Sequence, residues 1–143
     1  MYGAPFLDMD LMYRELSMRI GTEEFAFRRR AFTPVSGKYA GEVCFGLEFQ
    51  PLSPGGDFLP VALTMLKIIC DCYPEQIVFK KEEAETDGVH LAVLYGNHEA
   101  EEYLCGKVSL ARLRESWSEE GRAFREAVKE FGLYGGGQKK PAV

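Results

Sequence analysis

The sequence predicts an α+β domain: an antiparallel sheet of four to five strands with helices mainly on one face, in the order α-(β)-β-α-β-β-β-α. Three observations lead there. From Tyr39 to Gln50 the odd positions carry Tyr, Gly, Val, Phe, Leu and Phe, while the even positions carry Ala, Glu, Cys, Gly, Glu and Gln. Side chains on a strand alternate faces with period two, so this segment buries one face and leaves the other largely polar. Residues 58–73 read as a helix that is apolar around most of its circumference, and residues 76–108 hold three further short apolar runs.

In chain order, residues 8–20 form a first helix. Met9, Met12, Tyr13, Leu16 and Ile20 make a stripe at helical spacing, with Asp8 as the N-cap and Gly21 as the stop. Residues 22–32 lean towards strand, because Phe25 and Phe27 alternate, although Thr22-Glu23-Glu24 is equally able to open a helix. A turn at 34–37 leads into the strand over 39–50, and the composition of residues 51–57 marks a loop. Asp57 then caps the helix over 58–73. Its polar residues Thr64, Lys67 and Asp71 share one narrow line, and Pro74 ends it. Strands are expected over 76–81, 89–95 and 103–108. Lys80 to Gly88 forms a charged hairpin tip, and Gly96-Asn97-His98-Glu99 forms a tight turn. Leu113, Trp117, Phe124, Val128 and Phe131 recur at helical spacing, and Gly121 with Ser118-Glu119-Glu120 divides them into helices over 109–117 and 118–132. The organisation is a single domain over 1–134 and a flexible tail over 135–143.

With 143 residues, 46% of them apolar, the chain can build one packed core. A net charge of −5 argues against broad binding to a phosphate backbone. No apolar run reaches the length of a membrane span, and the start Met1-Tyr2-Gly3-Ala4-Pro5 has no basic leader. Cys44, Cys70, Cys72 and Cys105 stand in apolar surroundings, which suits reduced thiols and a cytoplasmic location.

Gly96-Asn97-His98-Glu99 resembles the Gly-Asn-His-Asp/Glu signature of calcineurin-like metallophosphoesterases. That resemblance implies Asn97 and His98 as metal ligand and catalytic group. The family also uses an upstream Asp-x-His and two downstream His. This chain holds only His90 and His98, too few for a two-metal site. Cys70 and Cys72, two apart on a helix, point about 200° apart and cannot share an ion. No metal and no cofactor is expected. Ser53 to Asp57 joins a strand to a helix N-terminus, where anions bind, but it has neither the Lys of a P-loop nor the glycines of a dinucleotide loop. Arg28-Arg29-Arg30 lies between Phe27 and Phe32, a pattern that can bind RNA, and reads more simply as a solvated edge. The Arg/Glu pattern from Arg112 to Glu130 reads as the solvated face of an amphipathic helix.

The functional expectation is a non-catalytic macromolecule-binding protein of the inhibitor, immunity or chaperone-like kind. Its partner would be a protein, basic in charge. The contact surfaces would be Glu82, Glu83, Glu85 and Asp87 at the charged tip, with His98, Glu99, Glu101 and Glu102 at the turn. A strand edge would also let two copies pair as a homodimer. The alternative is a small-molecule or metal-binding enzyme domain, its pocket where the 53–57 loop meets His90, His98 and Cys105. RNA binding is the weaker third reading.

Overall fold

A computed structural model describes residues 2–20, 23–54, 56–77 and 91–129. Strand β1 (Tyr2–Ala4) is followed by helix α1 (Met9–Ile20), strands β2 (Phe25–Phe32) and β3 (Cys44–Pro51), and helix α2 (Phe58–Cys72). A 3-10 turn over Pro74–Gln76 ends that half. Helices α3 (Leu91–Tyr95), α4 (Glu99–Leu104) and α5 (Leu110–Ala127) complete the described chain. The α+β class holds.

The sheet has three strands among the described residues, in the order β1-β3-β2, all antiparallel. β1 was not expected. It pairs Gly3 with Gly46 and Ala4 with Phe45 along the free edge of β3. β2 pairs with the other edge, Phe27 opposite Phe49 and Phe32 opposite Cys44. The sequence pattern over 39–50 therefore becomes a strand only from Cys44. Residues 39–42 are turn, because Gly37 and Gly41 adopt φ of +91° and +82° and the Gly41 N–H donates to the Pro34 carbonyl at 2.9 Å.

α1 begins where Asp8 predicts. Its Oδ1 accepts hydrogen bonds from the N–H groups of Asp10 at 2.8 Å and Leu11 at 3.0 Å. α2 is the central helix, as its composition predicts. One side of it, with Met65, Ile68 and Ile69, packs with Met12 and Leu16 of α1, Leu47 of β3 and Ala4 of β1. The other side, with Leu63, Leu66 and Cys70, meets Ala100, Tyr103 and Leu104 of α4, and Leu113 of α5. Deleting any one of these large side chains typically costs about 2–5 kcal/mol.

The C-terminal half departs from expectation. Residues 89–95 were read as a strand, yet 91–95 form α3, and 78–90 lie outside the described residues. The run Leu91-Ala92-Val93-Leu94-Tyr95 is apolar throughout, so its periodicity cannot separate strand from helix. The expected strand 103–108 is not formed: 103–104 close α4 and 105–108 are turn and bend. Ala100, Tyr103 and Leu104 are all buried at helical spacing, and Glu99, Glu101 and Glu102 are good helix formers near a helix N-terminus. Gly96 takes φ +96°, as the turn reading requires, but it leads into a helix. The Asn97 side chain accepts the Glu99 N–H at 2.9 Å, which starts α4. α5 is one continuous helix over Leu110–Ala127. Gly121 sits inside it, and Ser109 caps it by accepting from the Arg112 N–H at 3.2 Å. The expected tail lies outside the described residues.

No helix among the described residues is long and apolar enough to cross a membrane.

Candidate functional site

α5 presents one face on which Arg114, Trp117, Ser118, Arg122 and Arg125 line up, with successive spacings of three, one, four and three. Opposite that face lie Glu24, at the entry to β2, and Asp57, at the start of α2. Together these residues line a cleft of about 540 Å³. That volume suits a small polar ligand. The two opposing residues are held by local structure. Leu52 N–H donates to the Glu24 carbonyl at 2.9 Å, joining the 51–57 loop to the start of β2. Asp57 Oδ1 accepts the Leu59 N–H at 3.1 Å, so its carboxylate is committed to the cap. The Glu24 carboxylate makes no hydrogen bond or ion pair with a described residue.

Trp117 is the chain's single tryptophan, and it is fixed from behind. Its Nε1–H donates to the Tyr95 hydroxyl, and the rings sit 6.4 Å apart. Burial pushes the Tyr95 phenol above its ordinary pKa; the Trp117 N–H pulls the other way and Glu99 adds to the rise. The hydroxyl therefore stays neutral at ordinary pH. One residue earlier, the buried Ser116 hydroxyl lies 3.0 and 3.1 Å from the two Glu99 carboxylate oxygens and donates to that carboxylate. α3 and α4 thus lock the register and tilt of α5 at the cleft.

The arginines divide into two groups. Arg14, Arg19, Arg29, Arg30 and Arg112 pair with Glu15, with Glu15 and Asp71, with Asp10, with Glu48 and with Glu115. Arg114, Arg122, Arg125 and Arg28 have no ion pair with a described residue. Three of those four line the cleft. In a chain with 22 acidic residues against 17 basic ones, that concentration of uncompensated guanidinium is a property of this site. Exposed apolar side chains flank the same two helices: Phe58 and Leu59 follow Asp57, and Phe124 stands between Arg122 and Arg125 with 68% of its surface open.

The residues singled out from sequence fare differently. Glu82, Glu83, Glu85, Asp87 and His90 lie outside the described residues. At the turn His98 is exposed, and Glu99 and Glu101 are half-buried with partners of their own. Glu99 is bound to Ser116. Glu101 accepts the Ala92 N–H at 3.2 Å and sits 3.1 Å from His98 Nδ1, so it binds α3 to α4. Glu102 is exposed. Asp57 does line a cleft, as the enzyme alternative required of the 53–57 loop, but His98 and Cys105 are not among the residues lining it. Cys70 and Cys72 pack on opposite sides of α2, and burial raises both thiols. Cys44 is fully buried and its thiol is likewise raised. Among the described residues no three His, Cys, Asp or Glu gather in a way that would hold a metal ion. Arg28 is exposed, while Arg29 sits over the Tyr13 ring at 4.5 Å, and Arg29 and Arg30 are both ion-paired.

Arg114, Trp117, Arg122 and Arg125 do not stand out as site residues in the sequence, because the Arg/Glu pattern from Arg112 to Glu130 equally describes a solvated amphipathic face. The signal was present: the only tryptophan shares a helix face with three arginines.

An α+β unit with a cleft of this volume against α5 has room for a polar small molecule. Residues 1–134 match the family described as "Exo-beta-N-acetylmuramidase NamZ, C-terminal", and the chain belongs to that family. Its fold is similar to the crystal structure of a DUF1343 family protein from Bacteroides fragilis NCTC 9343, with a TM-score of 0.72 and 18% identity. The match covers 94% of this chain and 35% of that one, so this chain spans about a third of that protein's length. At such identity the likeness concerns the fold. No curated protein matches the sequence. Family membership overturns the expectation of a non-catalytic inhibitor, immunity or chaperone-like binder and of protein binding as its role. In its place stands membership of a family described as the C-terminal part of an exo-β-N-acetylmuramidase.

Proposed function

We propose that this domain works within a glycosidase of the exo-β-N-acetylmuramidase type and forms the saccharide-holding wall of its substrate cleft. The observation that supports this most is the coincidence of family membership over residues 1–134 with a 540 Å³ cleft containing the only tryptophan. A pyranose ring offers an apolar face of C–H groups and a rim of hydroxyls. The first packs on an indole, and the second needs convergent donors and acceptors. Trp117 supplies the ring. Arg114, Arg122 and Arg125 supply donors, and the uncommitted Glu24 carboxylate accepts from hydroxyls.

Glycoside hydrolysis needs two carboxyl groups placed about the scissile bond. Of the two acids lining the cleft, Asp57 spends one oxygen on capping α2, and Glu24 makes no hydrogen bond or ion pair with a described residue. A complete acid/base pair then draws on residues beyond this cleft.

Trp117 makes the test direct. Its fluorescence is the chain's only indole signal and is read while N-acetylmuramic acid is added to the purified protein. A saturable change that is abolished in Arg122→Gln supports the reading. An unchanged spectrum up to tens of millimolar sugar refutes it.

A further inference from the structure

We propose that Cys70 of α2 and Cys105 at the C-cap of α4 form a thiol–disulfide exchange site, which reacts with a small-molecule disulfide and closes a reversible bond between the two helices. Neither cysteine lines the α5 cleft, so the site stands independently of the saccharide reading. The end of α4 is a fixed Schellman turn. Gly106 takes φ +75°, its N–H donates to the Tyr103 carbonyl at 3.0 Å, and the Lys107 N–H donates to the Glu102 carbonyl at 2.8 Å. That turn lies against α2. A Cβ at Gly106 would stand 3.9 Å from Lys67 Nζ. Lys67, which pairs with Asp71, is one turn before Cys70 on the same helix face. On the other side of Cys105, Leu104 is buried with Ala100 and Tyr103 in the cluster against which Cys70 packs, and the Tyr103 and Thr64 hydroxyls lie 3.5 Å apart. The neighbours of Cys105 on both sides thus meet the strip of α2 that carries Lys67 and Cys70. A thiolate at Cys105 is close enough to raise the Cys70 thiol further.

The two thiols differ in access. Cys105 is exposed, Cys70 is half-buried, Cys44 is buried, and Cys72 packs on the opposite side of α2. Cys105 is therefore the thiol that an incoming disulfide reaches first. It gives its proton to water, and the thiolate attacks one sulfur of the small disulfide. That S–S bond breaks, and a small thiolate leaves with the electron pair and takes up a proton. Cys70 then loses its proton and attacks the Cys105 sulfur, displacing the second small thiolate. The two protein thiols are oxidised by two electrons, and one small disulfide is reduced to two small thiols. Excess small thiol runs the steps backwards. Burial pushes the Cys70 thiol up while Lys67 pulls it back, so the second step is the slower one. The bond tethers α4 to the central helix. Because Glu101 holds Ala92 of α3 and Glu99 holds Ser116 of α5, it steadies the whole C-terminal half.

The experiment exposes the folded full chain to oxidised glutathione, blocks the remaining thiols and maps linked peptides by mass spectrometry, with thermal melts before and after. The parent is compared with Cys70→Ser, Cys72→Ser and Cys105→Ser. An internal link is predicted in the parent and in Cys72→Ser, consuming two of the four free thiols of the parent. Cys70→Ser should stop at a glutathione adduct on Cys105, and Cys105→Ser should form no link. Cys105 is exposed, so Cys105→Ser decides the matter if Cys70→Ser does not fold. The oxidised parent should melt roughly 5–10 °C higher, and a thiol reductant should reverse the shift. A glutathione adduct that persists on Cys105 of the parent overturns the proposal, as does a dimer joined through Cys105 or a link that survives in Cys70→Ser. A linked parent that melts no higher than the reduced chain also overturns it, because the bond then does not fit the folded state.

Discussion

Asp71 shows how a single side chain ties two helices. Its carboxylate bonds Lys67 one turn back on α2 and Arg19 at 3.1 Å from the end of α1. Burial alone would raise its pKa, but the two cations outweigh it and hold the carboxyl below its ordinary value. A carboxyl lowered by folding stabilises the native state above its unfolded pKa, and that contribution disappears as the pH falls through the lower folded value. Asp71→Asn is therefore expected to cost roughly 0.5–1 kcal/mol at pH 7, a small figure because the group is partly solvated. The difference from the parent should shrink as the pH falls below the ordinary carboxylate range and through the lower folded value. Denaturant melts across that range check it. A gap that stays constant with pH would contradict the ion-pair account. Tyr95 acts on the site through Trp117. Tyr95→Phe removes the acceptor for the indole N–H while keeping the ring contact. It should shift Trp117 emission and weaken sugar binding about threefold to tenfold, on the order of one hydrogen bond. Unaltered affinity would leave Tyr95 a purely structural partner.

Among the elements, α1 and α2 were legible in the sequence and the segment after Pro74 was not. Asp8 and Asp57 are caps with an unambiguous chemistry, and the stripe Met12-Leu16 has one reading. β2 is legible only through Phe25 and Phe27, and in β3 the expected alternation is broken by Cys44 and Gly46, which are buried along with Leu47. The first residues of the predicted strand 39–50 failed because Gly41 fits an extended pattern and a left-handed turn equally well. The run 91–95 failed because an apolar stretch of five residues carries no usable period and is helix here, and 103–108 failed because α4 ends at Leu104 and the chain turns at Gly106. β1 is three residues long, with nothing local to mark it beyond its pairing to β3. Gly121 misled in the other direction. It looked like a break between helices, but α5 runs through it. A Cβ there would meet only the Arg125 guanidinium at 3.4 Å, the far end of a flexible side chain. Gly121→Ala should accordingly stabilise the protein by about 0.5–1 kcal/mol, measured as a rise in denaturation midpoint. A loss of stability would mean that the helix needs its glycine for more than chance tolerance. Gly3→Ala should do the opposite, because its Cβ would stand 2.5 Å from the Phe32 ring across the sheet.

For the whole molecule, composition set the class of object and hid its business. An acidic chain with two histidines offers little reactive chemistry in its sequence, and its net charge of −5 pointed attention to acidic surfaces. The fold reverses that emphasis. Among the described residues many acids pair cations, cap helices or bridge α3, α4 and α5, while three of the four arginines without an ion pair line one cleft beside the only indole. Net charge gives no information on that distribution, because it depends on which helix faces meet. The most direct test of the cleft as the saccharide site is a map of backbone amide shifts in the labelled protein as N-acetylmuramic acid is added. The account predicts shifts concentrated at Glu24, Asp57 and residues 114–125, with the α1–sheet face silent. Saturable shifts confined to the strands, or to the His98–Glu102 helix start, would contradict it.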